Sequence, residues 1–509
     1  MQLDTDYLEN IKITKDKLNK ISSSMCMAKW FQVSLHLPNG KTHSCFHPPA
    51  RLVPLTELEQ DPGALHNTKH KQVQRQKMLN GERPSECEYC WKIEDAGHLS
   101  DRHYRSGEWW AQDGWNEIKN TDTILPRYVE VNFNQACNFK CVYCSPHLST
   151  TWEKEIKEFG PYDLSNIKHN DTQYLDMPFQ SSNDDNPYVK AFWNWWPELY
   201  KTLKVFRMTG GEPLIDNNTY KILDYVIKNP NTDLELSITS NLCPPDNKII
   251  NRFIDKIKKI EQIRWWEDPN KLNKEYNNNN FVGSSCKHFS LFVSLDSVGE
   301  QAEYIRYPLD YNMLLDNVNK FLEKTLTTEI CFINTFSILS IPKLKDFLQL
   351  ILDLRIKFGK NTQTILEIQP PDRGEYKHPP VIIKPKQRIW FDIPMLNNPK
   401  WMSDVVIAQD KSLLAILDDS LTFMKDNVEQ EDYYKTGHGF KKYEIEKLKR
   451  NIDIIKQKSL KDEELKNHVE LKHFYMYFSE IDKRRKTDFI KTFPELIDFW
   501  NIAKADNGS

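Results

Sequence analysis

No stretch of this 509-residue chain approaches the roughly 18 consecutive apolar residues that a membrane helix needs. The opening segment, MQLDTDYLENIKITKDKLNK, is charged and helical in pattern and lacks the apolar core of an export signal. Neither charge dominates: 69 Lys and Arg stand against 72 Asp and Glu, and the net charge of −3 leaves no footprint for a nucleic-acid polyanion. No solenoid-type repeat runs along the chain. These absences point to a cytoplasmic protein without membrane or nucleic-acid partners. At this length two or three domains are expected.

A further absence is local. Residues 132–147, NFNQACNFKCVYCSPH, hold Cys137, Cys141 and Cys144 in a C-x3-C-x2-C spacing, and no fourth cysteine follows. The chain has ten cysteines in all. In a large Lys-rich protein without an export signal they read as metal ligands and buried thiols, not disulfides.

From about residue 126 short apolar runs alternate with amphipathic patterns. The strands expected are 127–133, 204–209, 235–240, 289–295, 329–336 and 364–369; helices are expected at 218–229, 248–260, 312–324 and 342–358. Six such repeats predict an α/β fold, a parallel sheet that is open or closed into a partial (β/α)6 TIM-like barrel. Ligands then sit at the carboxyl ends of the strands. Residues 161–187 and 262–288 read as polar insertions, the second carrying an NNNN run at 277–280. Beyond about 385 the pattern is helical and charged. Residues 446–470 predict an exposed amphipathic helix, and Phe489, Phe493, Leu496 and Trp500 a docking helix. The divisions expected are a helical segment at 1–20, a small cysteine-rich N-terminal module at 21–125, a core at 126–385 and a helical C-terminal region at 386–509.

The cysteine triplet follows the first core strand directly. Thiolates suit zinc or iron–sulfur clusters. A [4Fe–4S] cluster on three cysteines keeps one iron open, as catalytic metal sites do. On spacing alone, a zinc knuckle completed by His147 is the alternative. The triplet, with Tyr143 just before its last cysteine, resembles the radical S-adenosylmethionine (radical SAM) superfamily. In that family the open iron is chelated by SAM, whose reductive cleavage gives a 5′-deoxyadenosyl radical. The later strand ends carry the resemblance further. TGGEP places Gly210, Gly211 and Glu212 where the family holds the SAM amine, and TSN offers Ser240 and Asn241 beside the carboxylate or ribose. SLDSVGEQAEYIR places Ser294 and Asp296 for the ribose and Arg306 for the carboxylate, with Ser297 where the family has glycine. The resemblance covers about 126–372 and names no catalytic acid or base, because the radical chemistry belongs to the cofactor.

The N-terminal cysteines form a second pattern. Cys26 and Cys45 flank a predicted strand and PNGK turn, and Cys87 and Cys90 make a C-x2-C pair. Four thiols suit a zinc ribbon. The spacing from Cys26 through Gly40 to Cys45 also resembles the opening of SPASM and twitch modules, which implies a second, auxiliary [4Fe–4S] cluster. Such modules usually follow the core, and here it precedes. Cys331 reads as core; Cys243 and Cys286 read as buried or incidental thiols. The EWW and FWNWW segments read as packing.

The resemblance implies a radical SAM oxidoreductase or transferase, fed electrons by reduced flavodoxin or ferredoxin. Its first expected substrate is a peptide or protein side chain. Small molecules (a sugar, alcohol or nucleotide) are the alternative within enzymes, and a zinc-binding interaction protein is the rival from another class.

Overall fold

Runs such as YVEVN and VFRMT, rich in β-branched and aromatic residues, form the strands, and helices with buried faces return the chain between them. The structure is a computed structural model. It describes residues 2–119, 122–179, 185–261, 284–325, 327–359, 364–366, 381–383, 387–408, 410–429, 438–461 and 468–507. The NNNN run and most of the second expected insertion lie outside these residues, as do 367–369 of the last expected strand and 462–467 of the expected exposed helix.

In chain order the strands are β1 (Gln32–His36), β2 (Lys41–His43), β3 (Arg51–Leu52), β4 (Tyr128–Asn132), β5 (Tyr162–Leu164), β6 (Ile167–His169) and β7 (Val205–Thr209). Then come β8 (Asn231–Ser240), β9 (Cys286–Ser294), β10 (Glu329–Ile333), β11 (Thr364–Leu366), β12 (Val381–Ile383) and β13 (Ile389–Asp392). The chain divides into two compact units. One comprises Met1–Cys137, Leu175–Thr239 and Gln262–His288; the other comprises Asn138–Tyr174, Ser240–Glu261 and Phe289–Ser509.

In the first unit the strand order is β8-β7-β4-β1-β2-β3. The β8, β7, β4 and β1 strands run parallel, and β2 and β3 continue antiparallel. The parallel pairing of β1 with β4, in the register Gln32↔Tyr128 to His36↔Asn132, has no counterpart in the sequence reading. The strand expected between Cys26 and Cys45 forms β1 and extends the sheet. The FWNWW segment lies in the helix Pro187–Leu199, where Phe192, Trp195 and Trp196 are buried and Phe192 and Trp196 pack on Phe206. Asn186 caps that helix and Pro187 opens it.

In the second unit β9, β10 and β13 are parallel neighbours. Burial alternates along β10, with Ile330 and Phe332 inside; Cys331, expected in the core, is half-buried on the other face. The helix Asn247–Glu261 buries Ile250, Phe253, Ile254, Ile257 and Ile260, a single 3.6-period stripe. Two expectations change here. The first insertion, read as loop, contains the antiparallel pair β5–β6, because Tyr162 and Leu164 alternate into the interior. The expected docking helix is broken: Pro494 opens a separate turn between the helices Phe489–Thr492 and Ile497–Asn507. Phe489 and Phe493 still pack, on Tyr304, with Phe489 also against Phe474 and Phe478. No described helix is long and apolar enough to cross a membrane.

Candidate functional site

The loop after β4 carries the cysteine triplet. Its first residues belong to the first unit and meet the strand end after β7. Gly211 donates its N–H to the Asn134 carbonyl at 3.3 Å, and Glu212 donates to the Ala136 carbonyl at 2.7 Å. A Cβ on Gly211 would stand 2.2 Å from the Ala136 oxygen. One on Gly210, whose φ is +115°, would stand 2.1 Å from the Asn132 side chain. The two glycines thus let β7's end pass against the cysteine loop itself. Glu212 is buried, and its carboxylate accepts the Leu214 N–H at 3.0 Å, capping the turn Pro213–Ile215.

Within the second unit the rest of the loop is fixed by other segments. Asn138 accepts from Asn241 Nδ2 at 2.9 Å and donates to the Cys243 carbonyl at 2.7 Å, so the TSN strand end grips the loop through paired amides. Ser240 Oγ receives the Leu242 N–H at 2.8 Å. Lys140 and Val142 donate their N–H groups to the carbonyls of Tyr307 and Ile305, at 2.7 and 2.9 Å. The loop carbonyls have partners too: Trp152 Nε1 on Cys141 at 2.8 Å, the Tyr477 hydroxyl on Val142 at 2.5 Å, and Asn170 Nδ2 on Cys144 at 3.3 Å. Backbone groups of the loop that are withdrawn from water need such partners.

Asp296 and Arg306 meet each other. Arg306 Nη2 lies 3.1 Å from Asp296 Oδ1, and both side chains are buried. The Tyr143 hydroxyl donates to Asp296 Oδ2 at 2.7 Å, and the Thr335 N–H donates to Oδ1 at 2.7 Å. Burial works against the Arg306 charge, but Asp296, together with Tyr143 and Cys141, outweighs it and raises the pKa. Arg306 Nη1 also reaches Cys141 Sγ at 3.8 Å. Burial raises the Cys141 thiol against the pull of Arg306, and pushes Cys144 up to about 12. Ser294 ends β9 half-buried, and Ser297 is buried with its hydroxyl 3.3 Å from Gln301 Oε1. His147 Nδ1 lies 2.9 Å from Ser145 Oγ.

Sequence reasoning missed Trp152, Asn170, Thr335 and Tyr477, none of which sits in a motif. Beneath the loop, Glu155 joins Arg485 at 3.2 Å and Lys140 at 2.5 Å, with all three groups buried or nearly so. The helix His468–Arg485 therefore belongs to the support of the cysteine loop.

In the first unit Cys26, Cys45, Cys87 and Cys90 line one cavity with Lys29, Met78, Trp91, Arg102 and neighbouring residues. Cys26 precedes the helix Met27–Phe31, Cys45 follows β2, and Cys87 and Cys90 open the helix Glu88–Asp95. Trp30, Phe31, Trp91 and Trp110 build the apolar core around them. Burial pushes Cys45 and Cys90 up to about 12 and Cys87 up to about 11. Ligation reverses that shift, since a coordinating thiol is deprotonated. Among the described residues, no three His, Cys, Asp or Glu side chains are drawn together closely enough to hold a single metal ion. The donor chemistry of the four thiols and the cavity they share fit a multinuclear cluster, which does not bring all its thiolates onto one ion. Cys243 and Cys286 are buried and lie against the carbonyls of Asp310 and His288.

The fold is mixed α/β, with parallel strands whose carboxyl ends carry the candidate residues. No family model matches the chain. Over 114 residues it is 27% identical to GTP 3′,8-cyclase of Campylobacter lari, an alignment covering 22% of this chain and 27% of that protein. The chain thus matches about a quarter of that relative's length. Among solved structures it is similar to Streptococcus suis SuiB bound to S-adenosylmethionine, with 12% identity, a TM-score of 0.28 and coverage of 55% of this chain and 52% of that one. It is also similar to SuiB bound to the precursor peptide SuiA, with 11% identity, a TM-score of 0.26 and coverage of 65% and 60%.

Proposed function

We propose that this chain is a radical SAM enzyme with a partial (β/α)6 barrel core at 126–385. The observation that carries the reading is the cysteine loop's set of partners. The GGE end holds Asn134–Ala136, the TSN end holds Asn138, and the segment from Asp296 to Tyr307 holds Lys140–Tyr143. The similarity to GTP 3′,8-cyclase supports it independently.

In this reading Cys137, Cys141 and Cys144 ligate a [4Fe–4S] cluster and leave one iron for SAM. When bound, the pair supplies reductive sulfonium cleavage and a 5′-deoxyadenosyl radical. The chain's own residues bind and orient. Glu212 accepts from the SAM amine, while Ser240, Asn241, Ser294 and Asp296 offer partners to its ribose and carboxylate. Arg306 brings positive charge to the same end, and Tyr143 holds Asp296 in place. Cys26, Cys45, Cys87 and Cys90 hold an auxiliary [4Fe–4S] cluster within a module at 21–125. Reduced flavodoxin or ferredoxin delivers the electron in the cytoplasm.

The first substrate class is a peptide or protein side chain, from the resemblance of the N-terminal cysteines to SPASM and twitch modules. A small molecule of nucleotide type is the second, favoured by the cyclase similarity.

Anaerobic purification followed by iron and sulfide counting tests the reading. About eight irons per chain and 5′-deoxyadenosine formation under a strong reductant are expected. A colourless zinc protein that leaves SAM intact would return the chain to the class of zinc-binding interaction proteins.

A further inference from the structure

Lys29 is a charged side chain in an apolar interior. It is 2% exposed and stands in the wall of the four-cysteine cavity, among Met78, Trp91 and the thiols. Its ammonium lies 2.5 Å from Glu86 Oε1, and Glu86 is itself only 7% exposed. Both members of the pair sit on cysteine-bearing segments: Lys29 three residues after Cys26, and Glu86 immediately before Cys87. Glu86 is shared further, with His70 Nε2 at 2.7 Å and Arg51 Nε at 3.6 Å.

A buried ion pair is a poor way to stabilise a core, because desolvation offsets most of the attraction and an apolar residue of similar size does as well or better. The pair therefore calls for another account. The Glu86 carboxylate, 2.5 Å away, is what keeps the Lys29 ammonium charged in that interior. Lys29 thus places an ion-paired cation in the wall of the thiol cavity. Glu86, drawn also toward His70 and Arg51, holds it there without being its exclusive counter-charge.

We propose that Lys29 is an electrostatic positioning residue that raises the reduction potential of the cluster bound by Cys26, Cys45, Cys87 and Cys90. The inference rests on the auxiliary-cluster reading given above. Four thiolates on such a cluster leave it net negative, and one-electron reduction adds to that charge. A buried cation beside Cys87 stabilises the reduced form more than the oxidised one, in a region where water screens little. The chain thereby biases this site toward accepting an electron.

The test is a redox titration of the whole anaerobic protein with dithionite, followed by electron paramagnetic resonance, on wild type, Lys29→Met, Lys29→Gln and Lys29→Arg. Lys29→Met and Lys29→Gln should shift the reduction equilibrium of one cluster about tenfold toward the oxidised form, 59 mV for one electron. Lys29→Arg should stay near wild type, and the core cluster's potential should not move in any variant. Should Lys29→Met lose iron, Lys29→Gln decides, since it keeps a donor and removes only the charge. Two clusters with an unmoved potential in Lys29→Gln would overturn the role of Lys29 alone. A wild-type protein with zinc, or with one cluster only, would overturn the auxiliary-cluster reading and this inference with it.

Discussion

Two cysteine sites in this chain are built by opposite means. The triplet lies on a loop whose backbone is held by Lys140 and Val142 bonding to a segment about 160 residues on, and by Cys141 and Cys144 bonding to Trp152 and Asn170. The quartet is held by its surroundings: short helices and a strand end bring four thiols to one cavity inside a tryptophan-rich core. In the first, the fold fixes the main chain of the loop. In the second, it encloses the side chains and supplies a cation. On the proposed function this contrast has a reason: a site that must admit a small molecule needs a rigid frame with an open position, and a site that exchanges only electrons needs enclosure and charge.

Disabling each site in turn breaks the comparison most sharply. Replacing Cys137, Cys141 and Cys144 together by alanine should remove about half the iron and abolish 5′-deoxyadenosine formation. Reductive SAM cleavage surviving in that variant would refute the assignment of the open site. Cys87→Ala with Cys90→Ala should instead lose the second cluster while uncoupled SAM cleavage continues, as Mössbauer iron counting with a product assay would show.

The frame of the triplet can be weakened without touching a thiol. Arg485→Ala removes one of two cations from buried Glu155 and should cost about 3 kcal/mol of stability, the low end for a broken buried pair because Lys140 remains. Denaturant midpoints at constant slope check this, and iron loss should begin in the triplet cluster. Glu212→Ala should have a smaller effect, weakening SAM binding by about 1.5–3 kcal/mol with iron content nearly intact. A calorimetric titration showing unchanged affinity would reduce GGEP to a turn that fits the loop.

The strands at 128–132 and 205–209 and the helices at 217–228 and 311–324 fall close to their expected spans, because the strands are short runs rich in β-branched and aromatic residues and each helix carries its own period and an Asp cap. Two features depart from expectation for different reasons, the first of them a breaker plain in the sequence. Pro494 splits the C-terminal apolar stripe, although the spacing of Phe489, Phe493 and Leu496 by itself fits one helix. The pairing of β1 with β4 joins strands about ninety residues apart, and a parallel partner leaves no mark in local sequence.

The sequence by itself determined the cysteine spacings and the strand ends on which the motifs fall, since these depend on residues a few positions apart. Tertiary structure decided what each motif touches. Gly210 and Gly211 make room for the cysteine loop, Asp296 takes Arg306 and Tyr143 as partners, and Tyr477 reaches Val142 across 335 positions. Lys29, unremarkable in the sequence, becomes a buried cation only when the segments of Cys26 and Cys87 meet. The physical reason is common to all of these: burial and charge pairing depend on distance in space, and spacing along the chain reports that distance only within one element.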